Sequence, residues 1–169
     1  MNRPCLYYCE GECEQKLIDA LKLAPSKILP GKSKKLNIMQ RLISKSLLLT
    51  IKPNTNLVLV FDTDVTTNLD VLKRNIANIR RYCTNVKLIY LLQVKNLEDE
   101  LVRCTKLNTA LDLTRSSTLS NFKSAFSKMK DADCRHALER QDLNVAKLWS
   151  STPPNCFGFL DINSHLAKI

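Results

Sequence analysis

At 169 residues, 44% hydrophobic and 25% charged, the chain has an ordinary globular composition, long enough for a real core, which excludes a disordered polypeptide. A formal net charge of +10 directs attention to anionic partners, nucleic acid first and acidic membrane second. No apolar run approaches the roughly 20 residues a spanning helix needs, and three glycines are few for a turn-rich β protein.

The opening stretch MNRPCLYYCEGE is read as no signal peptide, because its apolar segment is short and acids follow at once. Residues 6–9 form a short apolar run that predicts a buried strand, stopped at Glu10-Gly11. Leu17, Ile18, Leu21 and Leu23 then recur at helical spacing, and the helix is expected to end near Ala24-Pro25. Residues 27–29 suggest a second short strand, halted by Pro30-Gly31. Apolar positions from 36 to 47 predict a helix, broken at Pro53-Asn54. Residues 56–61, NLVLVF, are the clearest strand, a near-continuous apolar run of the kind covered on both faces.

Leu69, Leu72, Ile76 and Ile79 define the next helix, and residues 86–92 the next strand. A helix starts within NLEDELVRC, with Leu97, Leu101 and Cys104 on one face. Residues 118–130 and 132–148 read as further helices, and SSTPPNCFGF as loop. The alternation predicts an α/β fold, a parallel sheet of about four strands with helices on both faces. Residues 1–110 would form the sheet domain and 111–169 a helical extension packed on the same core. The Phe122/Phe126 stripe suits core completion or pairing with a second copy, and the core is the expectation.

Seven cysteines, without a C-x-x-C pair, argue against structural zinc and for a cytoplasmic protein with reduced thiols. His136 and His165 have no partners at ligand spacing. The acids are more telling. In a parallel α/β sheet, functional residues gather beyond the carboxyl ends of the strands. Glu10 ends the first strand, Asp62 and Asp64 end the long one, and Glu98, Asp99 and Glu100 follow the last. Asp62 and Asp64 are two apart, so an extended backbone sends both to one side. Carboxylates so gathered repel unless a cation sits among them, and Mg²⁺ (or Mn²⁺), a hard ion with oxygen ligands, suits them. Lysines would attract a polyanion, while the ion would activate water and neutralise charge on phosphate. Glu12 reads as an acid favoured at a helix start. Helical geometry puts Glu98 and Glu100 on opposite flanks of the apolar face and does not choose between them.

The segments YYCEGECEQKLIDAL and LVLVFDTDV, a Glu-Gly after the first strand and an Asp-x-Asp ending a later one, resemble the Toprim domain. ILPGK and NLEDEL are similar to further segments of OLD-type nucleases, and the resemblance spans residues 5–105. It implies a Toprim-like fold and a Mg²⁺-dependent nuclease acting on DNA or RNA. Glu10, Asp62 and Asp64 would be catalytic. Glu10, Glu14, Asp62, Asp64 and Glu98 would hold metal, and Lys32, with Lys34 and Lys35, would contact nucleic acid. Small Toprim proteins of this kind are associated with phage defence. No P-loop, topoisomerase tyrosine context or primase zinc module accompanies the motif. Two other readings stand beside it. One is a non-catalytic module binding nucleic acid or a protein partner. The other is a haloacid-dehalogenase-like phosphatase, suggested by VFDTDVT, although no later metal-ligating segment of that type follows.

Overall fold

The computed structural model of the chain describes residues 3–66 and 69–169. Met1 and Asn2, where the leader argument begins, lie outside them. Four strands, β1 (Cys5–Cys9), β2 (Lys32–Lys35), β3 (Asn56–Asp62) and β4 (Lys87–Gln93), form one parallel sheet in the order β2-β1-β3-β4. The fold is α/β and Rossmann-like. Six α-helices accompany the sheet among the described residues: α1 (Glu12–Lys22), α2 (Lys45–Leu49), α3 (Asp70–Tyr82), α4 (Leu97–Cys104), α5 (Leu119–Lys128) and α6 (Asp131–Arg140).

Strand alternation divides the core into two layers. Tyr7, Val58, Val60, Ile89 and Leu91 point to one face, where they meet Leu17 and Ile18 of α1, Leu101 of α4, Phe122 and Phe126 of α5, and Leu138 of α6. Tyr8, Leu59, Phe61, Tyr90 and Leu92 point to the other, against Leu48 of α2, Leu72, Ile76 and Ile79 of α3, and Phe157. The β3 strand is buried on both faces, as its unbroken apolar run predicts.

Residues 111–169 contribute to both layers. The Phe122 and Phe126 rings stack at 5.4 Å within the first, fully buried inside the chain. Lys16 of α1 pairs with Asp131 of α6 at 2.5 Å, and the Arg135 guanidinium donates to the Leu23 carbonyl at the end of α1. The last residues run along the outer edge of β4. There Asn163 imitates a strand: its Oδ1 accepts from Tyr90 N at 3.1 Å and its Nδ2 donates to Leu88 O at 3.0 Å. Among the described residues no helix is long and apolar enough to cross a membrane.

Three local expectations change. Residues 27–29 do not join the sheet; Ile28 instead forms an antiparallel bridge with Lys168. The strand is KSKK, Lys32–Lys35, paired with Leu6–Cys9 of β1. Gly31 allows it, since a Cβ there would stand 2.3 Å from the Cys5 carbonyl oxygen. The helix expected over 36–47 is confined to Lys45–Leu49. Ahead of it, the buried Asn75 takes the backbone for itself: Nδ2 donates to Ile38 O and Arg41 O, and Oδ1 accepts from Ile43 N, each at 2.8 Å. The helix expected over 132–148 stops at Arg140 because Asp142 adopts φ 50° and Leu143 N bonds back to Leu138 O, a left-handed helix end.

Candidate carboxylate site

Neighbouring strands β1 and β3 lead into helices on opposite faces, α1 on one and α3 on the other. A crevice opens where such helices part, beyond the carboxyl ends of the two strands. Glu10 and Asp62 stand at that point. The register sets Cys9 beside Val60, so Glu10, one residue past the end of β1, lies near Asp62, the last residue of β3.

Glu10 is held from several sides. Its backbone N–H donates to Val60 O at 3.0 Å, Oε2 accepts from Asp62 N at 3.0 Å, and Oε1 accepts from Asn37 Nδ2 at 3.3 Å. Burial pushes its carboxyl up; the Asp62 N–H opposes this and the Asp64 charge adds to it. Asp62 is more perturbed. Burial first, then the charges of Glu14, Glu10, Asp64 and Glu98, raise its carboxyl to about 8. Its Oδ1 is buried without a hydrogen-bond partner among the described residues. Glu14, 7% exposed, is raised by burial, and Glu10 and Glu98 raise it further. Gly11 makes room for it, because a Cβ at 11 would lie 2.5 Å from Glu14 Oε2.

Thr63 fastens the strand ends together. Its N–H reaches Gln93 O and Lys95 O, both at 3.0 Å, and its Oγ1 accepts from Lys95 N at 3.0 Å. The loop after β4 is thereby fixed, and Asn96 caps α4 by accepting from Asp99 N at 2.9 Å. Glu98, in the first turn of α4, comes into the crevice, with Oε1 3.3 Å from Lys123 Nζ of α5. Glu100 does not. It is 1% exposed, and its Oε1 accepts from Arg103 at 2.6 Å and from Trp149 N, tying α4 to the chain beyond α6. The two flanks of α4 thus have different occupations.

Of the predicted acids, Glu10, Glu14, Asp62 and Glu98 are half-buried or buried around one crevice, and Asp64 stands exposed just past the strand end. The lysines divide. Lys35, opposite Cys9 in the register, reaches the crevice, where it pairs with Glu12 at 2.6 Å. Lys32 and Lys34 point to the other face and line a separate groove with Lys52, Leu6 and Ile51, free of acidic side chains.

Several contributors were not read from the sequence. One wall of the cleft is α5, which supplies Lys123, Ser124, Ser127 and Lys128 opposite Glu10, Gly11 and Glu14. Those four positions recur at i and i+4, a polar stripe beside the Phe122/Phe126 stripe that could have been noticed. Lys123 is fixed from behind by Cys13, whose thiol contacts the Lys123 carbonyl at 3.6 Å. Burial would lower the Lys123 pKa, but Glu98 outweighs it and the ammonium is held charged. Asn37 and Gln93 also belong to the rim.

Among the described residues, no three His, Cys, Asp or Glu side chains stand in ready-made ligating geometry. The donor set still suits a hard divalent cation: oxygen ligands only, in excess negative charge, with the Asp62 Oδ1 unpartnered. Fold and rim define an α/β protein of Rossmann-like class with a carboxylate crevice at its switch point. Comparison of the chain with family models, curated proteins and solved structures gives no match.

Proposed function

We propose that the protein is a Mg²⁺- or Mn²⁺-dependent nuclease that hydrolyses nucleic-acid phosphodiesters in this crevice, the Toprim-type chemistry implied by Glu10-Gly11 and Asp62-x-Asp64. One observation carries the reading. Four carboxylates meet at the switch point, and the central one, Asp62, is raised to about 8 by burial and its acidic neighbours. Groups so perturbed cluster at functional sites.

Asp62, Glu14 and Glu98, with Glu10 and Asp64 beside them, are the residues that would hold the cation. Bound there, it would supply charge neutralisation on the phosphate and ease ionisation of the attacking water. Glu10, oriented by Asp62 N–H and Asn37, is suited to take the proton from that water. Lys35, Lys123 and Lys128 offer ammonium groups to the phosphate oxygens, and Ser124 and Ser127 offer hydroxyls. The groove of Lys32, Lys34 and Lys52 suits the flanking backbone of the same polyanion. That acid-free groove also favours the second reading, a module that binds nucleic acid without cutting. Seven free cysteines, six of them buried, fit a reducing cytoplasmic setting.

The test is cleavage of single- and double-stranded DNA and RNA with Mg²⁺ or Mn²⁺, beside EDTA and an Asp62→Ala/Asp64→Ala variant. Cleavage is expected to require both the ion and the aspartates. Binding by wild type and variant alike, with no cleavage by either, would move the protein to the second reading.

A further inference from the structure

Gln93 is the last residue of β4 and is 0% exposed. Neither its Oε1 nor its Nε2 has a hydrogen-bond partner among the described residues. Its backbone is not at fault, because Gln93 O accepts from both Thr63 N and Thr63 Oγ1. A buried, unpaired amide opposes folding, and buried side-chain polar atoms are as a rule satisfied. The same chain satisfies another one fully: Asn75, also 0% exposed, makes three hydrogen bonds with its side chain. The preceding β4 residues Tyr90, Leu91 and Leu92 are apolar or aromatic, so a leucine at 93 would continue the pattern without this penalty.

The sheet shows what the amide faces. Gln93 pairs in register with Asp62. Two residues back on each strand, Leu91 and Val60 both point to the layer of α1 and α4. By strand alternation Gln93 and Asp62 share that face, the face from which Glu14 and Glu98 approach. Two side chains in adjacent register therefore carry buried oxygens without partners, Asp62 Oδ1 and Gln93 Oε1.

We propose that Gln93 is the neutral member of the cation site, its carboxamide Oε1 serving as an oxygen ligand beside Asp62. This rests on the cation reading above and extends it to a residue outside the acidic motif. A neutral carbonyl oxygen is a suitable donor for a hard divalent ion. It adds a ligand without adding to the repulsion among the four carboxylates. The cost of burying the amide in the cation-free protein is returned when the ion binds.

The experiment is calorimetric titration of Mn²⁺ into wild type, Gln93→Leu, Gln93→Glu and Asp62→Asn, with the melting temperature of each cation-free protein. Gln93→Leu is expected to melt at or above wild type yet bind Mn²⁺ at least tenfold more weakly. Gln93→Glu, which keeps an oxygen at the same place but adds a charge, should retain Mn²⁺ binding and melt lower without the ion. Wild-type Mn²⁺ affinity in Gln93→Leu, alongside loss in Asp62→Asn, overturns the role of Gln93 and leaves the cation reading intact. If Gln93→Leu both melts lower and binds weakly, Gln93→Glu decides: retained binding supports the proposal and lost binding overturns it. No Mn²⁺ binding by wild type removes the cation reading itself, and this inference with it.

Discussion

The loop beneath α3 and the carboxyl rim of the sheet treat buried polarity in opposite ways. Under α3, Asn75 is sealed from water and every polar atom of its side chain has a partner. At the rim, Gln93 is equally sealed and has none among the described residues, Asp62 Oδ1 lacks one, and burial with the neighbouring acids raises the Asp62 carboxyl. The first arrangement holds the backbone in shape. The second spends stability, and such expense is what functional sites show when an external ligand completes them.

Asn75→Leu is the most severe way to break that contrast. It removes three hydrogen bonds and leaves the Ile43 N–H and the Ile38 and Arg41 carbonyls without them, an expected loss of about 3 kcal/mol or more in urea unfolding. A loss under about 1 kcal/mol would mean the loop does not depend on this amide.

Asp62 comes next, through pH. Its folded carboxyl lies near 8, above the ordinary 3.8, so between those values the folded state binds more protons than the unfolded one. Stability of the cation-free protein must then fall as pH rises from about 4 to about 8. Asp62→Asn should flatten this slope and gain on the order of a few kcal/mol over wild type at pH 8. Glu10 and Glu14, shifted in the same direction, should leave a residual slope. Melting curves across the range read it, and equal slopes in both proteins would refute the raised Asp62.

The smallest effect separates two acids that are two residues apart in sequence but on opposite flanks of α4. Glu100→Gln weakens bonds to Arg103 and the Trp149 backbone and should cost about 1–2 kcal/mol. Glu98→Gln should leave stability within about 0.5 kcal/mol of wild type and reduce Mn²⁺ affinity instead. Equal losses of stability would erase the distinction between the two flanks of α4.

Much of the fold was legible because apolar periodicity records burial. β1, β3 and β4 and the helices α1, α3, α4 and α5 follow it closely. β2 was invisible for the same reason. KSKK has no buried stripe, and it becomes a strand only because Gly31 lets it approach β1. The segment 36–44 has helical spacing, but Asn75, more than thirty residues later, claims its backbone groups. Glu10, Asp62 and Glu98 could be collected from the rule that sites sit at strand carboxyl ends, whereas Glu14, inside α1, entered only through the resemblance. Lys32 and Lys34 were grouped with Lys35 by proximity in sequence, whereas the strand pleat separates them onto two faces. Gln93 carried no signal, because an orphaned amide is defined by what surrounds it.

The Asn163 bond pair along β4 bears on self-assembly. An open parallel sheet has two flanks, and each is a template on which another chain can polymerise. On the β4 flank, one carboxamide occupies the outward N–H of Tyr90 and the outward carbonyl of Leu88, so an incoming strand would have to displace it at the middle of the edge. On the β2 flank, exposed Lys32, Lys34 and Lys35 would repel the same lysines of a second copy. The Asn163 amide on one flank and the lysines on the other both weigh against edge-to-edge pairing of this four-stranded sheet.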